Sequence, residues 1–78
     1  MRFIKDIPND YCKTSLYIFN NKYIIKFEAG LLEQVYKISE MDVTGQEEVE
    51  NMFNDVFFAR VIGRFKEMAE DFEKLLDE

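Results

Sequence analysis

Cys12 is the only thiol in the chain, and there is no histidine to take a proton from it. A cysteine nucleophile works as its thiolate, made by a neighbouring base or a strongly positive surrounding. Cys12 opens an alternation of apolar residues that turns it toward the core, so it reads as an inert packed thiol. Carboxylates are the other groups able to act as acids, bases or ligands of a divalent cation. Glu67 and Asp71 recur at helical spacing, as do Glu70, Glu73 and Asp77. Lys66, Glu70 and Lys74 also make i,i+4 pairs, and Arg64 an i,i+3 pair with Glu67, so this set reads as an acidic, salt-bridged outer helix face. No glycine-rich phosphate loop accompanies them. No catalytic residue, cofactor-binding residue or metal ligand is assigned, and neither an enzyme nor a bound cofactor is expected.

The positioning elements must come from 78 residues, which make a single domain over 1–78 with no linker. A hydrophobic content of 47%, with 8 Phe and 4 Tyr, excludes a disordered low-complexity chain. One Cys and no His exclude disulfide scaffolds and zinc fingers. The net charge of −6 disfavours a duplex nucleic-acid partner. That charge is split. Residues 1–39 hold six Lys/Arg and four Asp/Glu, net +2, whereas residues 40–78 hold four and twelve, net −8. No run approaches the ~20 apolar residues of a membrane span, and Met1 to Pro8 lack the apolar stretch of a signal peptide. A lone cysteine points to a reducing, cytoplasmic setting.

Up to Ser39 the apolar period is two. Tyr11–Phe19, Lys22–Glu28 and Leu31–Ile38 read as strands. Asn20-Asn21 suits a two-residue hairpin turn, because Asn tolerates positive φ, and Ala29-Gly30 reads as a second. With these loops Leu16 faces Ile25, Lys13 faces Glu28, Lys26 faces Glu33 and Tyr23 faces Tyr36, while Lys22 stands opposite Lys37. One face of the meander then carries Cys12, Leu16, Ile18, Tyr23, Ile25, Phe27, Leu32, Tyr36 and Ile38 as the core side. The other carries Lys13, Tyr17, Phe19, Lys22, Ile24, Lys26, Leu31, Val35 and Lys37, which is more apolar than a solvated face needs.

Beyond Thr44 the period becomes helical. Thr44-Gly45-Gln46-Glu47 fits a capping box. Val49, Met52, Phe53 and Val56 share one stripe, and the apolar residues from Phe58 to Leu76 share another about 150° away. A break at Asn54-Asp55 resolves the conflict, giving a short helix over 45–53 and a long one over 55–76. An unbroken helix gripping a second subunit is the alternative. Gly63, inside the long helix, marks either a close helix contact or a tolerated surface glycine. Phe57 falls between the stripes, where an exposed ring would serve as a binding anchor.

The expected fold is α+β: a three-stranded antiparallel meander packed on one face by a short and a long C-terminal helix. Residues 2–7 either add an edge strand or lie across the sheet. The surplus apolar residues Tyr17, Phe19, Ile24, Val35 and Phe57 exceed what one two-layer interface absorbs. They point to a non-enzymatic protein-interaction module, a homodimer or the binder of another protein. The alternative is a binder of single-stranded nucleic acid or a small anion, using Lys13, Lys22, Lys26 and Lys37 beside the Tyr17 and Phe19 rings.

Overall fold

A computed structural model describes residues 1–77 and shows an α+β arrangement, with an antiparallel sheet packed by a short and a long helix. The strands are β1 (Arg2–Asp6), β2 (Lys13–Phe19), β3 (Lys22–Ala29) and β4 (Leu32–Ser39), side by side in chain order. A 3₁₀ turn at Glu40–Asp42 leads to α1 (Gln46–Asn51) and α2 (Asp55–Leu76). The sheet therefore has four strands, with the N-terminal segment forming the edge next to β2. A bulge between Phe3 and Lys5 lets β1 send the Phe3 ring to the Tyr17 ring, at 5.6 Å, and Ile4 against the core.

The first hairpin turns on Asn20 and Asn21, both at positive φ, and pairs Lys13 with Glu28, Leu16 with Ile25 and Phe19 with Lys22, as expected. The second differs by one residue at the turn. Its loop is Gly30-Leu31, closed by Ala29 opposite Leu32. Gly30 alone takes positive φ (61°), the demand of a type II′ turn on its first central residue. The pairing consequently slips by two. Lys26 meets Val35, Tyr23 meets Ile38, and Lys22 meets Ser39 rather than Lys37. Because side chains alternate, a two-residue slip leaves every side chain on its expected face.

The core lies between the inner sheet face and the helices, as Leu16, Ile25, Phe27, Val49, Phe58, Val61 and Phe65. Phe27 is fully buried, and the rings of Tyr36, Phe53, Phe57 and Phe58 stand 5.7–6.0 Å from it. Phe57 is thus a member of this cluster, not a ring outside both stripes, because α2 starts close enough to β3 for its first turn to reach Phe27. Residues 45–76 form two helices. Asn54 caps the second, its Oδ1 accepting the Phe57 amide at 2.9 Å. The cap of α1 departs from the expected box: Glu48, not Glu47, accepts both the amide and the hydroxyl of Thr44, each at 2.6 Å. Met52 and Val56, flanking the break, remain in solvent.

Two substitutions test this packing by urea unfolding. Phe27→Ala is expected to cost about 3–5 kcal/mol, since four rings lose their shared partner. Gly63 is exposed and a methyl group there meets no atom within 4 Å, so Gly63→Ala should stabilise by up to about 1 kcal/mol.

Candidate functional site

Cys12 lies just before β2, in a turn built on Asn9, whose Oδ1 accepts the amides of Tyr11 and Cys12. Its Sγ is half-buried, 3.8 Å from the Thr14 hydroxyl, with no base at hand. Among the described residues no cluster of three His, Cys, Asp or Glu is spaced to hold a metal. Glu67, Glu70, Asp71, Glu73 and Asp77 all stand exposed on α2 or its cap. The chemistry-bearing residue types are therefore dispersed.

The outer sheet face is more shielded than its composition implies. Rungs run across the strands as Phe3, Tyr17, Ile24 and Lys37, then Asp6, Ser15, Lys26 and Val35. Ile24 at the centre is only 7% exposed, and Tyr17 is half-buried beneath Lys26, whose Nζ sits 5.4 Å from the ring centroid. Phe19 and Val35 remain about half exposed. Of the four lysines, Lys26 pairs with Glu28 at 3.2 Å and approaches Glu33 at 3.9 Å, and Lys13 lies 3.9 Å from Glu28. These contacts offset the like charges of Glu28 and Glu33, which the register sets face to face. Donation to Glu28 is also the main reason that the Lys26 ammonium titrates above its usual range. Among the described residues Lys22 and Lys37 form no ion pair.

A different side of the molecule is open. The first turn of α2 already meets β4, the Phe57 ring standing 5.6 Å from that of Tyr36. Phe58 stacks on Tyr11 near the start of β2, while Arg64, under two turns later, reaches β4, its Nε donating to Gln34 Oε1 at 3.1 Å and its Nη2 to Tyr36 Oη at 2.9 Å. Gln34 Nε2 in turn donates to the Val61 carbonyl at 3.0 Å. Arg64 and Gln34 thus fasten α2 at the β4 edge. A groove of about 470 Å³ opens there, between Gln34, Val35 and Tyr36 on one side and Arg64, Glu67, Met68 and Asp71 on the other. Past Phe65 burial along α2 falls away. Met68 and Phe72 are half-buried, and Leu75 and Leu76 are 71% and 72% exposed.

The apolar stripe of α2 was legible in the 3/4 spacing, but its second half was not separable from core. Gln34 and Arg64 went unnoticed as a pair. The available signal was Gln34 itself, a polar residue at an inward position between Leu32 and Tyr36, which must find a partner when buried. No helix among the described residues is long and apolar enough to cross a membrane. Comparison with known protein families, with curated proteins and with solved structures found no match in any of the three.

The helix–sheet junction also carries two perturbed carboxyls. The Thr44 hydroxyl and amide hold Glu48 below the ordinary glutamate range, and the Lys5 ammonium at 2.8 Å, with Gln46, does the same for Glu50. As pH falls the unfolded chain binds these protons first. Their contribution is therefore complete above the ordinary glutamate range and lost as pH drops through the lowered folded values. Urea midpoints measured from neutral to acid pH should fall, and fall less steeply in Glu48→Gln/Glu50→Gln. An equal slope in that variant would remove both groups as the cause.

Proposed function

We propose that this chain is a non-enzymatic protein-interaction module that acts as a homodimer, joined on the side where α2 overruns β4. One observation carries the reading. A 22-residue helix is about 33 Å long, yet its buried residues end at Phe65, while the apolar stripe continues through Met68, Phe72, Leu75 and Leu76. An amphipathic helix gains stability by burying its stripe, and in a single copy this half is covered only in part, with Met68 and Phe72 half-buried and Leu75 and Leu76 exposed. Two-fold dimers are the commonest way for a small domain to cover such a surface. The outer sheet face is the weaker candidate, because Lys26 already lies over Tyr17, Ile24 is buried, and ion pairs occupy Lys13 and Lys26. A cytoplasmic setting belongs to the same reading, with the single thiol as its support.

Light scattering coupled to size exclusion across a concentration series is expected to give twice the 9.4 kDa chain mass. Leu75→Glu/Leu76→Glu should return the mass to one copy with the circular-dichroism spectrum retained, and Phe19→Glu should leave the dimer whole. A single-copy mass for the unaltered protein at every concentration would overturn the reading.

A further inference from the structure

β4 is an edge strand, and the phase of its backbone is set by the turn that precedes it. Residues flanking a two-residue loop exchange hydrogen bonds, so Ala29 and Leu32 direct their amides and carbonyls at one another. At a period of two, Gln34, Tyr36 and Ile38 also face β3, and the Glu40 amide, donating to the Asn21 carbonyl at 3.0 Å, keeps the phase at the far end. The amides and carbonyls of Glu33, Val35 and Lys37 consequently point to the open edge. Their side chains all stand on the outer face. They are acidic, apolar and basic in turn, and spaced evenly about Val35.

That order is self-complementary. We infer that the β4 edges of two copies pair antiparallel about a two-fold axis at Val35, each Glu33 meeting the Lys37 of the other copy. Antiparallel strands can join only if edge-facing residues meet edge-facing residues, which limits the choice of axis. Centred on Glu33 or on Lys37, the pairing sets like charges face to face. Centred on Gln34 or Tyr36, it places both charges opposite uncharged residues. Only the Val35 axis makes two ion pairs, and it employs Lys37, which forms no ion pair among the described residues of its own copy. It also lies on the side of the molecule where α2 borders the β4 edge through Glu67, Met68 and Asp71 and where the stripe ends exposed at Leu75 and Leu76. The long flat edge, otherwise a site of indiscriminate strand addition, is closed in the same step. This geometry rests on the homodimer reading and names the surface that makes it.

Charge exchange and edge blocking test the pairing by light scattering. Lys37→Glu, which sets acid against acid twice, should weaken the dimer by at least about tenfold, and Glu33→Lys/Lys37→Glu should restore it to within a few-fold. Val35→Pro removes the two central amides while leaving an edge that tolerates proline, and should yield a folded single copy. Hydrogen exchange on the unaltered dimer gives a readout that needs no variant: the Val35 and Lys37 amides should be protected like those of Gln34 and Tyr36. Rapid exchange at Val35 and Lys37, or full dimer mass in both Lys37→Glu and Val35→Pro, would overturn the pairing. If Leu75→Glu/Leu76→Glu still separated the copies in that case, the helix-joined dimer would stand without it. A single-copy mass in the unaltered protein would remove both.

Discussion

Four aromatic rings close around Phe27, and the arrangement of the remaining elements follows from that cluster. Phe27 comes from an inner strand, Tyr36 from the adjacent edge, Phe53 from the break between the helices and Phe57 and Phe58 from the first turn of α2. Each pair adds an orientational preference of about 0.5–1.5 kcal/mol to the area it buries, because edge-on contact sets a ring's positive rim against its neighbour's negative face. One point of contact therefore fixes where both helices meet the sheet. It also explains the break at Asn54. A straight helix would carry the stripes of Val49 and Phe58 on opposed sides, whereas two helices bring both into the same core.

With its beginning held there, α2 runs on along the β4 side, where Arg64 meets Gln34 and Tyr36. Four strands make a narrow layer and the helix is long, so the molecule extends to 46 × 26 × 19 Å. Arg64 settles where the overhang begins. Its guanidinium, 5.9 Å from the Phe57 ring centroid, shares a rigid planar fork between Gln34 and Tyr36. The half of α2 before that clamp is ordinary core. The half after it keeps an apolar stripe that ends exposed at Leu75 and Leu76, beside an unpaired strand edge, and these two unmet demands occur on one side of the molecule. That coincidence, more than either feature alone, locates the proposed contact between copies.

The outer sheet face shows how composition misleads about exposure. Tyr17 and Ile24 look like a bare apolar patch when only their face is known. In the sheet they sit mid-rung, with the Phe3 ring beside Tyr17, Lys26 over it and Lys37 opposite Ile24 in register. The Lys26 stem, its charge held at Glu28, shields the Tyr17 ring from water without any further layer.

Local chemistry was enough to place most elements. Alternation assigned the strand faces, Asn20-Asn21 specified its turn, opposed stripes required a break at Asn54, and all of these depend on residues near in sequence. The register of the second hairpin was out of reach by one turn position, because a two-residue slip preserves the alternation, and only the Lys22–Lys37 opposition and the dihedral preference of Gly30 for the first central position distinguish the loops. Burial of Ile24 and Phe57 depended on which strands and rings lie beside them. The same is true of the Gln34–Arg64 clamp, whose partners are thirty positions apart. That β4 is an edge and that α2 outruns the sheet are properties of strand order and of the path α2 takes. Periodicity reports which side of an element is apolar, not whether another layer is there to cover it.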